Sequence, residues 1–360
     1  MRDVIVVGAG PAGSRYARRA AADGLDVLVF EQGEIGEPLA CSGHVSTDVL
    51  AYVPAEARES LLENDIYGAR FHLGGPASRA YPFYKTEVVS RVIDRVELDK
   101  TLARAASDAG ADVRDGHTVT DVEERTDCVV VTVSGPDGVE THRARLVAGC
   151  DGPQSRVRDA VSLPPPAELL HGVLGFDFDP DDSDFVDVHL TVPRFFAWRI
   201  PRGEAGVEYG LAVPPGEAAS ERFGAFTDSY GVETDRRCSG LIPIGPPSTV
   251  TSDRVFLLGD AAAQTKPFTG GGIRYGMTAA DHAAREIDPA DPTTLAEYER
   301  AWRRHLGREI RLGAWIRRGY SLPAPVQRAG LKLFAGEIGV HMDEPSTVFS
   351  REQFRALLSR

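Results

Sequence analysis

"DVIVVGAGPAGSRYARRAAADGLDVLVFEQ", residues 3–32, joins two Val-rich apolar runs through a glycine turn and an Ala/Arg-rich segment. Short continuous apolar runs suit strands buried on both faces, and the segment between them has the length and composition of a helix, so a βαβ unit is predicted. Gly8, Gly10 and Gly13 fall on the turn with the spacing G-x-G-x-x-G. Gly8 allows the tight turn, Gly10 lets a pyrophosphate approach the backbone, and Gly13 permits close helix–strand packing. The phosphates would rest on the positive helix N-terminus. Glu31, at the end of the second strand, can accept hydrogen bonds from ribose hydroxyls. The unit predicts dinucleotide binding and leaves NAD and FAD both open.

Two later stretches bear on that choice. "LVAGCDGPQSRVR" (146–158) is an apolar strand running into Asp151-Gly152, and "DRVFLLGDAAAQTKPFTGGGIRYG" (253–276) is a strand delivering Gly259-Asp260 before three glycines and a helix start. Asp260 at a strand end can bind a ribityl hydroxyl or a group near the pyrophosphate. Gly270 to Gly272 let backbone N–H groups face a ring or phosphate with no Cβ in the way. The three motifs, in this order and spacing over roughly residues 1–285, resemble the FAD-dependent group that includes aromatic hydroxylases, squalene epoxidases and geranylgeranyl reductases. "RVELDKTL" (95–102) matches a further pattern of that group. The resemblance implies FAD, held by Gly8, Gly10, Ala12, Gly13, Glu31, Gln32, Cys41, Ser42, Arg95, Val119, Asp260, Gly271, Gly272 and Ile273. Arg95 would contact the flavin end and Val119 would lie near the adenine. A surface salt bridge to Asp99 is the plainer reading of Arg95.

Within that group, "IGEPLACS" (35–42) is similar to the I-G-x-P-x-x-C-G segment of archaeal geranylgeranyl reductases, departing at Ser42 where the family has Gly. By this likeness Cys41, Ser42 and His44 would lie along the isoalloxazine ring. "FAWRIP" (196–201) resembles a second family feature; alternation places Phe196, Trp198 and Ile200 on one face, a wall for an apolar substrate or an ordinary sheet core. "AWRRHLGREI" (301–310) resembles the helix that follows the Gly-Asp segment in these reductases. A halogenase fits less well, because Phe196 stands where that family has Trp, and aromatic hydroxylases lack the Pro38…Cys41 pattern. The expected activity is FAD-dependent saturation of C=C bonds in the geranylgeranyl chains of ether lipids or a related prenyl quinone. A monooxygenase or halogenase is the alternative, and a non-enzymatic flavin redox sensor a further one. Cys41 and His44 are the candidate proton sources, with simple packing against the flavin the plainer reading of Cys41.

The remaining chain sets bounds. A length of 360 residues favours two to three domains, and 42% hydrophobic with 26% charged residues is globular composition. A net charge of −13 argues against nucleic acid. Only Lys85, Lys100, Lys266 and Lys332 are lysines, which suits either a high-salt cytoplasm or GC-rich coding. Cys41, Cys128, Cys150 and Cys238 form no CxxC pair, so neither a disulfide framework nor a metal site is expected. The fold expected is α/β (α+β). A Rossmann-like FAD domain (1–65, 90–160, 250–285) carries an inserted antiparallel-sheet substrate domain (66–89, 161–249), and C-terminal helices span 286–360. No second G-x-G-x-x-G is seen, so the electron donor is expected to dock transiently, as NAD(P)H, ferredoxin or deazaflavin. No apolar stretch is long enough to span a membrane, so a cytoplasmic protein is expected, peripheral on the inner face of the cell membrane through helices carrying Trp315, Leu322 and Leu331–Phe334.

Overall fold

The computed structural model describes residues 1–37, 41–338 and 341–349; Pro38 of the cysteine segment and the last residues of the chain lie outside them. β1 (Arg2–Val7), α1 (Pro11–Ala22) and β2 (Val27–Phe30) form the expected unit, with β1 and β2 parallel. Val4 to Val7 and Val27 to Phe30 are buried, as continuous apolar strands between covering layers must be. β1 has β2 on one side and Gly138–Gly149 on the other. That second neighbour is twelve residues long: its first half pairs antiparallel with Val129–Gly135, while its last half runs parallel to β1 and to Val255–Leu257. Asp112–Arg114 and Thr118–Glu124 complete a seven-stranded sheet.

Helix Leu295–Arg318 covers this sheet with Leu295, Tyr298, Trp302, Leu306 and Ile310, one apolar stripe at helical spacing. Each such side chain contributes about 1.5–3 kcal/mol on burial.

The second sheet has eight strands in the order Arg236–Ile244, Glu168–Asp177, Val207–Val213, Ala197–Pro201, Phe185–His189, Gly68–His72, Ala80–Tyr84 and Gly336–Glu337. It departs from the alternating-strand expectation in three ways. Helix Ala219–Tyr230 packs one face through Phe223 and Phe226, a short apolar stripe that flanking glycines disguise in the sequence. Phe185–His189 runs parallel to Gly68–His72, because the chain leaves this sheet and returns after the nucleotide unit. Gly336–Glu337, within the stretch read as helical, adds an edge strand. Cys238 sits within Arg236–Ile244. A small sheet of His44–Ser46, Ser90–Ile93 and Leu62–Ile66 contributes Val92 and Ile66 to the second core. Among the described residues no helix is long and apolar enough to cross a membrane.

Candidate active site

The glycine turn is shaped by two different constraints. Gly8 has φ +100°, and a Cβ there would fall 2.4 Å from the Cys150 carbonyl oxygen; a Cβ at Gly13 would fall 2.0 Å from the Gly8 carbonyl oxygen. The chain itself requires both. A Cβ at Gly10 meets nothing within 4 Å, so that glycine borders a cradle rather than a packed neighbour. Glu31 braces the turn: Oε2 accepts from the Ala9 N–H at 2.8 Å and Oε1 from the N–H of exposed Gln32 at 2.8 Å. Ala12 lies against Gly276, where a Cβ would be 3.2 Å from its own, which seats α1 on helix Ile273–Glu286. Arg15 and Asp281 clamp the same pair of helices through two hydrogen bonds. Val119 is buried in Thr118–Glu124, and its carbonyl accepts from Arg156.

The two Asp/Gly motifs meet behind this turn. Asp151 accepts from Ser155 Oγ and the Val157 N–H, capping a short helix, and buried Arg158 donates to the carbonyls of Pro153 and Ala261. Gln264 accepts from the Gly259 N–H and donates to Tyr298, whose hydroxyl donates to the Leu257 carbonyl. Asp260 is thereby held at the strand end, with Gly272 so close that a Cβ would fall 2.6 Å from Oδ1. Burial pushes the Asp260 carboxyl up to about 6, against the pull of Arg95. Gly272 and Ile273 begin their helix with no side-chain cap, leaving its first N–H groups beside Asp260.

The cysteine loop reaches the same place from the other side. Gly43 (φ +68°) accepts a backbone hydrogen bond from the Ile93 N–H and sits where a Cβ would be 2.2 Å from the Ile93 carbonyl oxygen. This pins Cys41 to His44 against the start of helix Arg95–Asp108. Arg95 is 6% exposed and donates to both oxygens of Asp99, at 2.7 and 3.1 Å, while its Nε is buried without a partner. Burial works against the guanidinium charge, but Asp99 and the Cys41 sulfur hold it above its ordinary value. The salt bridge expected at the surface is therefore internal. His44 Nε2 lies 2.7 Å from Ser90 Oγ, and burial, with Lys266 nearby, pulls the ring down to about 4. In this environment the ring favours its neutral form.

Phe196, Trp198 and Ile200 do share a face, with Phe196 edge-on to Trp198 and to Tyr320 at 5.8 Å each. Gly210 makes room for the indole: a Cβ there would fall 2.3 Å from its ring. Trp198 Nε1 donates to Glu208 Oε1 at 2.7 Å, and Arg202 links Glu208 Oε2, Glu63 and the Ser42 carbonyl. Glu208 is fully buried, and that burial raises its carboxyl to about 7 in spite of Arg202. A chain of contacts thus runs from the aromatic wall to the cysteine loop.

Glu208, Arg202, Gln264 and Lys266 were not singled out from sequence, because the contacts that define them appear only in the folded chain. Lys266 is the clearest case: buried beside the glycine run, it donates to Asp343, which also accepts from Ser46. Cys150 and Cys128 are structural: burial raises the Cys150 thiol well above its usual value, and Arg143 donates to the Cys128 sulfur.

Comparison with known proteins gives the family of the chain. Residues 1–226 match the FAD binding domain family. The chain is 32% identical to digeranylgeranylglycerophospholipid reductase 2 of Methanothermobacter thermautotrophicus over 337 residues, 86% of this chain and 85% of that one. Among solved structures, a geranylgeranyl bacteriochlorophyll reductase-like protein from Thermoplasma acidophilum superposes with a TM-score of 0.86 at 23% identity, covering 99% and 98% of the two chains. The flavin-dependent halogenase CmlS shares the fold at a TM-score of 0.70 and 20% identity, covering 92% of this chain and 70% of its own. The chain belongs to the FAD-dependent digeranylgeranylglycerophospholipid reductase family.

Proposed function

We propose that this protein saturates the C=C bonds of geranylgeranyl chains carried on an ether-linked glycerophospholipid. The observation that carries this reading is the apolar aromatic face of Phe196, Trp198 and Ile200, tied through Glu208 and Arg202 to the Ser42 carbonyl beside Arg95. The residues present fit FAD. Gly10 borders a cradle, Arg95 offers a buried unpartnered Nε, Asp260 presents an acceptor, and two helix N-termini face the same region. In this reading Gly8 to Gly13 with Glu31 and Gln32 hold the nucleotide half, Val119 lies by the adenine, and Asp260, Gly271, Gly272 and Ile273 hold the ribityl and ring end. Cys41, Ser42 and Arg95 flank the flavin. Reduced FAD supplies a hydride when bound, and an external donor of the NAD(P)H, ferredoxin or deazaflavin type returns the electrons.

An isolated alkene has no carbonyl to accept developing negative charge, so a proton must arrive as the hydride does. The site serves this by excluding water behind Phe196, Trp198 and Ile200 and by keeping an acid in reserve. Glu208, raised by burial to about 7, is protonated in part at neutral pH, and Arg202, donating both to it and to the Ser42 carbonyl, fixes its position relative to the Cys41–Ser42 loop. Cys41 is the group at the flavin edge that would present the proton. A surface of exposed apolar residues on the C-terminal helices suits peripheral contact with the membrane that holds the substrate.

The test is anaerobic incubation of FAD-loaded protein with dithionite and di-geranylgeranyl glycerophospholipid, followed by mass spectrometry. Products heavier by two hydrogens per double bond are expected. Unchanged lipid would refute the reading, and substrate-dependent oxygen consumption in a parallel aerobic assay would favour the oxidative alternative. A Cys41→Ala variant that keeps both FAD and full turnover would remove the thiol from the chemistry.

A further inference from the structure

A second polar site lies at the far end of the substrate sheet. A cavity of about 330 Å³ is lined by Leu73, Ser78, Arg79, Tyr81, Arg328 and Lys332, between the end of the Gly68–Tyr84 hairpin and helix Ala324–Phe334. Three cations and no acid line it. Among the described residues none of the three is ion-paired, Arg79 resting only over the Tyr81 ring at 5.3 Å. All three side chains are exposed to solvent, where an anion can reach them. The Ser78 hydroxyl is buried with no partner. Converging cations with a free hydroxyl make a site for an anion with several acceptor oxygens, and phosphate is the common case.

Which phosphate is indicated by what surrounds the cavity. Residues 310–336 contain Arg311, Arg317, Arg318, Arg328 and Lys332 and not one Asp or Glu. In the same stretch Trp315, Val326, Leu333 and Phe334 are exposed, and no residue of helix Ala324–Phe334 is buried. A basic, apolar helix beside a cationic cavity suits a lipid at a membrane surface. The sheet supplies the connection inward. Trp198, Val188, Phe71 and Tyr81 are successive cross-strand partners and therefore share a face. Three strand spacings, about 14 Å, separate the aromatic wall from the cavity. Phe83, on that face too, packs edge-on to Phe71 at 5.1 Å.

We infer that Arg79, Arg328, Lys332 and Ser78 form a subsite for the headgroup phosphate of the lipid substrate, whose prenyl chain runs over Tyr81, Phe71 and Val188 to Trp198. The inference rests on the reading of the substrate as a prenyl glycerophospholipid and adds how that lipid is oriented.

The test titrates di-O-geranylgeranylglyceryl phosphate and its phosphate-free alcohol into FAD-loaded wild type and an Arg79→Gln/Arg328→Gln/Lys332→Gln variant. Wild type should hold the phosphate ester about ten-fold more tightly than the alcohol, and the variant should lose that preference while its alcohol affinity and flavin spectrum stay unchanged. No preference in wild type, or a preference kept by the variant, overturns the subsite. Loss of NADPH affinity in the variant with lipid preference intact would assign the cations to the electron donor and equally overturn it. If wild type binds the phosphate ester through these residues but reduces neither lipid, the subsite stands and the proposed activity falls.

Discussion

The Trp198 indole donates to Glu208 across 2.7 Å, so the aromatic wall and the most acid-ready buried carboxyl are one unit. The other oxygen of Glu208 meets Arg202 at 3.2 Å, and the same guanidinium nitrogen donates to the Ser42 carbonyl at 2.7 Å.

Glu208→Gln should flatten the pH dependence of stability. In the folded protein this carboxyl sits at about 7, above its ordinary 4.5. As pH rises from 4.5 towards 7, the unfolded chain releases the proton while the folded chain keeps it. Stability from this group is therefore full below pH 4.5 and is lost as pH climbs through 7, by on the order of 3 kcal/mol. Thermal melts of FAD-loaded protein at about pH 5 and about pH 8 should show a smaller difference for the variant than for wild type. Equal differences would mean that Glu208 does not hold its proton.

Alanine at Gly10 and at Gly13 should have opposite signatures. Gly13→Ala drives a Cβ to 2.0 Å from a backbone oxygen and should prevent a stable fold. Gly10→Ala, at φ −66° with no neighbour within 4 Å, should leave the melting temperature of the apoprotein near wild type. It should still weaken FAD binding by about ten-fold or more, because the methyl group fills the cradle. Absorbance of the purified flavoprotein and melts of the apoprotein read the two effects separately.

Arg95→Ala leaves Asp99 buried and unpaired, at a cost of about 3–5 kcal/mol. The double variant Arg95→Leu/Asp99→Leu should recover much of that stability and remain deficient in FAD. Recovery of flavin as well would confine Arg95 to a structural role.

Lys266→Met should let the His44 ring rise from about 4, because Lys266 is the nearby charge holding it down, while burial keeps it below its ordinary 6.5. Titration of the His44 ring signals by NMR would show the shift. An unmoved midpoint would assign the depression to burial alone.

The nucleotide unit was legible because its instructions are local. A run of valines, three glycines at fixed spacing and an acid at the next strand end are all read within thirty-odd residues, and β1, α1 and β2 follow them. Phe196, Trp198 and Ile200 were legible for the same reason, since alternation along one strand sets a shared face. What the sequence concealed depends on the assembled fold. Glu208 is one acid among 53 acidic residues until Trp198 and Arg202 surround it, and Asp343 joins Lys266 over 77 positions. The burial that depresses His44 is likewise a property of the assembled molecule, so His44 and an available imidazolium look alike in the sequence.

The Asp343 carboxylate joins Lys266 and Ser46 while its own backbone carbonyl accepts from Tyr275 at 2.8 Å. These contacts make the tail a clasp over the glycine run from Gly270 to Gly272. Opening this clasp would expose two buried charges at once, so the segment around Asp343 and the glycine run are coupled electrostatically.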